Sequence, residues 1–111
     1  MGRRQQQEQR AADALAALGN RTRLRIFKLL VRAGRSGANV GTIQRVLDIP
    51  ATTLGHHLGT LARAGLVHQE RRSREVICTA NYKAVNEVLE YVREECCAGL
   101  DAAQASGEEA A

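Results

Sequence analysis

With 111 residues, 44% of them apolar, the chain is sized for one domain with its own core, and no apolar run approaches the length that crosses a bilayer. The Arg- and Gln-rich start lacks the apolar segment of a secretory signal, so a cytoplasmic protein without a membrane partner is expected. The formal charge of +4 conceals a split: residues 1–80 carry 14 basic and 5 acidic side chains, net +9, whereas 81–111 carry 2 and 7, net −5. A polyanion is expected against the basic part, and with three aromatics, Phe27, Tyr82 and Tyr91, to stack bases, a duplex suits it better than a single strand.

In chain order, residues 1–10 are polar and read as a flexible arm, with Gln5 to Gln9 able to prolong the helix that follows. Ala11 to Leu18 is alanine-rich and favours a helix whose small-residue face suits close packing; Gly19 ends it. Asn20 caps a second helix with Leu24, Phe27, Leu30 and Val31 as its core face and Arg21, Arg23 and Arg25 turned elsewhere. A loop through Gly34, Ser36, Gly37 and Asn39 leads into two short amphipathic helices. The first carries Val40, Ile43, Val46 and Leu47 on one face, the second Leu54, His57, Leu58 and Leu61. Between them, Asp48-Ile49-Pro50 stops one helix and starts the other, since proline pushes Ile49 towards extended backbone and tolerates a helix's first turn. Gly65 closes the second helix with a left-handed cap.

From Leu66 the period changes to that of strands, 66–70 and 75–79, flanking Arg71-Arg72-Ser73-Arg74 as an arginine-tipped hairpin. Asn81 caps a last helix in which Val85, Val88, Leu89, Val92 and Cys96 form an apolar stripe on an acidic surface. Such a stripe needs a partner, and the first and last helices are expected to bury theirs against a second copy. The expected fold is mainly α with a small β-hairpin, ordered α-α-α-α-β-β-α: a winged helix-turn-helix over residues 11–98, homodimeric through its first and last helices, with 99–111 a disordered tail.

The segments NRTRLRIFKLL and TTLGHHLGTLARAGLVHQERRSREVICT give residues from about 12 to 97 a family resemblance. Thr22-Arg23-Leu24, His57-Leu58, the run from Leu61 through Ala64-Gly65-Leu66-Val67 and the Arg-rich wing resemble the ArsR/SmtB family of metal-responsive winged-helix repressors. The resemblance implies a homodimeric repressor on a double-stranded operator, released when an inducer binds. It also places the outward side of the second short helix in the major groove. Thr52 and His56 are then the base-edge candidates, Thr53 and Arg63 the phosphate-holding ones, and Gly55 and Gly59 permit close approach. Arg71, Arg72 and Arg74 would grip the flanking backbone or minor groove, adding salt-dependent affinity. His57 resembles a family position that often packs or bridges, and on the apolar stripe it reads as a packing residue.

Three cysteines, two of them adjacent, do not make a disulfide framework in a reducing cell and point to thiol chemistry or soft-metal binding. The Cys-x-Cys of arsenic- and many zinc- or cadmium-sensing relatives is replaced here by Ala38-Asn39-Val40-Gly41, and the last helix has no histidine for the family's other zinc site. Cys96-Cys97 resembles the subset whose inducer site is a C-terminal cysteine pair, responsive to trivalent arsenic or antimony. Soft sulfur suits these centres, and two thiols from one short segment chelate with little loop-closure entropy. Adjacent residues on a regular helix point about 100° apart, so joining both sulfurs to one atom would deform the last turn. A third ligand, from Cys78, the partner protomer, an external thiol or hydroxide, stays open; methylarsenite needs only two sulfurs. Cys78, alternating with Val76 in a wing strand, reads as core. The alternative is a persulfide- or redox-responsive repressor of the same fold. No organic cofactor is expected, and with no acid, base and nucleophile arranged together an enzyme is not.

Overall fold

The computed structural model describes residues 2–94 and Cys96. Helices α1 (Arg3–Leu18) and α2 (Arg21–Ala33) are followed by a 3-10 turn (Gly34–Ser36), a short strand β1 (Ala38–Asn39), helices α3 (Val40–Leu47) and α4 (Ala51–Arg63), strands β2 (Val67–Arg72) and β3 (Glu75–Ala80), and helix α5 (Tyr82–Arg93). The strands form one antiparallel sheet in the order β1-β3-β2. Its buried face meets α2, α3 and α4 in a core built on Ile26, Phe27, Leu30, Ile43, Leu54, Leu58, Leu61, Leu66, Val67 and Cys78. Full burial of each leucine or isoleucine contributes roughly 1.5–3 kcal/mol.

The caps explain the breaks between elements. Asn20 and Asn81 accept the Arg23 and Ala84 N–H groups at 3.0 and 3.2 Å and start α2 and α5, as expected. Asn39 does the same for α3, accepting from Thr42 N–H at 2.7 Å. Asp48 ends α3 in the left-handed region (φ 54°), which aspartate tolerates better than most residues, and Pro50 is the N-cap of α4. At the other end of α4, Gly65 (φ 79°) donates to Ala62 and Leu66 to Leu61, a Schellman closure that tucks buried Leu66 under buried Leu61.

Several expectations are corrected. Helix α1 begins at Arg3, within the segment read as an arm, because Arg, Gln and Glu are good helix formers and elongate a helix cheaply once the alanine face is docked. On that face Ala11, Ala14 and Ala17 are buried, while Leu15 is 48% exposed. In α2 the buried set is Ile26, Phe27 and Leu30, with Leu24 and Val31 exposed, and Val46 of α3 is 61% exposed. β1 adds a third strand ahead of α3, pairing Ala38 with Cys78. Gly37, at φ 69° and ψ −165°, makes that pairing possible: a Cβ there would stand 2.4 Å from the Cys78 carbonyl oxygen. The wing ladder reaches Arg72, so only Ser73 and Arg74 form the turn. Finally, α5 ends at Arg93, not beyond Cys96. Cys96 lies in a turn, its N–H donating to the Arg93 carbonyl at 2.8 Å, and is exposed. Cys97 and the predicted tail lie outside the described residues.

Candidate nucleic-acid interface

Helix α4 is two-sided by sequence. Leu54, Leu58 and Leu61 are fully or almost fully buried, and this fixes the roll of the helix so that Thr52, Thr53, Gly55 and His56 are exposed. Thr52, His56 and Arg63 fall within about 40° of one another around the helix, at 100° per residue. They form one outward stripe directly opposite the leucines. Nothing stands within 4 Å of where a Cβ on Gly55 would lie, so that glycine keeps the stripe low. Gly59 has a different role from the one expected. A Cβ there would meet Nη1 of Arg63 at 3.2 Å, so the glycine makes room for a guanidinium that folds back towards the N-terminus of α4. Arg63 Nη2 donates to Thr60 Oγ1 at 3.4 Å, and Thr60 Oγ1 to the His56 carbonyl at 3.2 Å. Arg63 therefore lines a groove between α4 and α1, about 10 Å along the axis from His56 at 1.5 Å per residue.

The wing arginines do not act as one cluster. Strand alternation puts Arg71 on the sheet face of Val67 and Gln69, towards the core side, and Arg72 on the face of His68 and Glu70. Arg72 Nη2 lies 3.1 Å from Glu70 Oε1, an exposed pair that offsets part of its charge. Arg74 sits in the turn beside Ser73, whose φ of 56° bends the hairpin back within two residues. Asn39 fastens this wing to the helix-turn-helix by donating to Glu75 Oε1 at 2.5 Å.

Sequence reasoning missed two residues. His57, read as a packing histidine, is half-buried, and Arg23 Nη1 stands 3.2 Å from its Nδ1. Its pKa is held below the ordinary 6.5 by desolvation first, then by the Arg23 charge and by His56. Arg23 was assigned only to a face turned away from the core; its contact to a residue 34 positions later could not be read from spacing.

The cysteines are separated by environment. Cys78 is fully buried in the core, and burial pushes its thiol above the ordinary 9.0, with the Gln69 amide near its sulfur acting weakly the other way. Cys96 is exposed beyond α5. Among the described residues, no group of three His, Cys, Asp or Glu side chains is placed to hold a metal ion, and no helix is long and apolar enough to cross a membrane.

This arrangement is that of a winged helix-turn-helix protein. Residues 18–70 match the helix-turn-helix domain family. No curated protein matches the chain. Among solved structures it is similar to an ArsR-like transcriptional regulator from Rhodococcus sp. RHA1, at 24% identity and a TM-score of 0.70 over 78% of this chain and 79% of that one. HlyU from Vibrio cholerae N16961 is similar at 25% identity and a TM-score of 0.63, covering 81% and 95%. The homodimeric winged helix-turn-helix DNA-binding domain of Mb0332 from Mycobacterium bovis, a possible ArsR-family regulator, is similar at 24% identity and 0.68, covering 86% and 88%.

Proposed function

We propose that the protein is a homodimeric, ArsR-type transcriptional repressor that binds double-stranded operator DNA and lets go when a trivalent arsenical or antimonial is held by Cys96 and Cys97. The observation that carries the DNA-binding part is the exposed Thr52–His56–Arg63 stripe, set opposite three buried leucines and flanked by an arginine-bearing wing. Solved regulators of the same architecture support it. The dimer reading is supported by apolar side chains left in water: Leu15 of α1, and Leu89 (45% exposed) and Val92 (54%) of α5.

The inducer reading is supported by the chemistry of adjacent thiols and by the exposed position of Cys96 in a turn beyond α5. The C-terminal half of α1 and the start of α5 both meet Ala64 and Gly65, so the two helices run antiparallel. Gln7 and Arg10 of α1 then share a groove of about 590 Å³ with Tyr91 and Glu94, next to the cysteine end of α5. A change at Cys96 therefore bears on both helices assigned to the dimer.

The test is operator binding by the full chain, on a duplex selected in vitro, with arsenite, antimonite, methylarsenite, zinc and a persulfide donor in separate arms. Release by the trivalent metalloids, lost in Cys96→Ser and Cys97→Ser and kept in Cys78→Ser, is expected. Release only by the persulfide donor would favour a redox-responsive repressor of the same fold, and release only by zinc would reject the thiol-pair assignment.

A further inference from the structure

The guanidinium of Arg23, at the start of α2, leaves its helix in two directions. Nε donates to the Ala17 carbonyl in the last turn of α1 at 2.7 Å. Nη1 lies 3.2 Å from Nδ1 of His57, midway along α4. A guanidinium has only donors, so the imidazole accepts at Nδ1 and carries its proton on Nε2. The Ala17 carbonyl is one of those a helix leaves without an intrahelical partner, and a cation there also meets the negative end of the helix dipole. The base of the side chain is fixed too, because the Arg23 N–H is held by the Asn20 cap at 3.0 Å. One planar group thus spans three helices.

The packing around it cannot do the same job. Where α1 faces α4, Ala16, Ala17 and Ala64 line an open groove of about 300 Å³ with Asp13, Thr60 and Arg63. Alanines present no ridges long enough to interdigitate, so apolar contact alone leaves α1 weakly seated on α4, whose own roll the buried leucines fix. A rigid fork with two hydrogen bonds, one to each helix, fixes that seating directly.

We infer that Arg23 is a positioning residue that locks the orientation of the DNA-reading helix α4 to helix α1, with His57 as its acceptor, so that Thr52 and His56 are presented in register with the helix assigned to the dimer. This rests on the DNA-binding reading above. It gives α1, which lies antiparallel to α5, the helix that leads to Cys96, a direct connection to the reading helix.

The experiment compares affinities for a selected and a random duplex in Arg23→Lys, His57→Leu and their combination, with His57→Asn as the conservative control. A single ammonium cannot keep both bonds, whereas the Asn Oδ1 takes the place of Nδ1. Arg23→Lys and His57→Leu each lower the selected-to-random ratio by roughly tenfold, the pair lowers it no further, and His57→Asn retains it within about threefold. Random-duplex affinity, supplied by charge, stays level in all four. Additive losses, or a random-duplex affinity that falls in step with the selected one, would overturn the inference. A readout without DNA separates it from the function: the ¹⁵N shifts of His57 report the Nε2–H tautomer in the parent and a tautomer mixture in Arg23→Lys, where amide exchange also quickens in α4 but not in β2 and β3. If the parent selects no duplex, the functional reading fails while these signals still decide the role of Arg23; an unchanged tautomer and unchanged α4 exchange refute it.

Discussion

Asn39 and Glu75 are joined by a 2.5 Å hydrogen bond from the asparagine amide, while the other end of the same amide caps α3 through the Thr42 N–H. One side chain thus starts the helix-turn-helix and anchors the wing near its tip, since Glu75 directly follows the Ser73-Arg74 turn. The two roles separate by substitution. Asn39→Asp keeps a good cap but loses the donor and sets a carboxylate against Glu75. Asn39→Ala loses both, at about 1 kcal/mol for the cap. The expected result is a folded Asn39→Asp protein with a mobile wing and weaker DNA binding, and a thermal midpoint for Asn39→Ala several degrees below the parent. Equal DNA affinity in Asn39→Asp and the parent, measured by fluorescence anisotropy, would show that the wing needs no such anchor.

His57 makes stability depend on pH in a defined direction. Its folded pKa lies below 6.5 because burial, then Arg23, then His56 oppose the charged ring. Above 6.5 both folded and unfolded chains hold it neutral and its contribution is complete. As pH falls from 6.5 towards the folded value, the unfolded chain takes up a proton that the folded chain resists, so stability declines in that window. Urea midpoints between pH 7.5 and 5 should fall for the parent, and His57→Asn should remove part of that slope. A slope unaltered by the substitution would assign it to other groups.

The wing arginines should differ in the salt dependence of DNA binding. Each phosphate contact adds about 0.9 to the slope of log K against log salt. Arg71→Ala and Arg74→Ala should each lower that slope by about 1. Arg72→Ala should lower it less, because Glu70 already offsets that guanidinium at 3.1 Å, and Glu70→Gln should raise affinity by releasing it. Thr52→Ala and His56→Ala should instead cost roughly 1–3 kcal/mol on the selected duplex alone and leave the slope in place. Four arginine and glutamate variants with one common slope would remove the distinction drawn between the two faces of β2.

The fold was largely legible because its signals are local. Asn20, Asn81, Pro50 and Gly65 each mark an element end through chemistry confined to a few residues, and Leu54, Leu58 and Leu61 state which side of α4 is buried. Errors came where packing, not pattern, decides. Leu15, Leu24, Val31 and Val46 match helical spacing as well as their buried neighbours do, and only tertiary contact tells which apolar residues face inward. β1 is two residues long and depends on Gly37 letting β3 approach, which no periodicity reveals. In the candidate site, the outward stripe was readable from the leucines opposite it. The Arg23–His57 and Asn39–Glu75 ties were not, since each joins residues more than thirty positions apart.

Cys78 and Cys96 should separate cleanly under an alkylating reagent. Cys78 is buried on the core side of β3 with its thiol held above 9.0, so it is both protected and protonated, and it reacts only when the chain opens. Cys96 is exposed and should be modified first, giving an early adduct on the C-terminal peptide by mass spectrometry. The raised pKa also fixes a sign at alkaline pH. Above 9.0 the unfolded thiol loses its proton while the folded one keeps it, so stability falls as pH rises past that value. Cys78→Ala should cost about 1 kcal/mol at neutral pH through the small cavity it leaves and should flatten this alkaline decline. Labelling of Cys78 as fast as Cys96 in the native protein, or an alkaline decline unchanged by Cys78→Ala, would place that thiol outside the core.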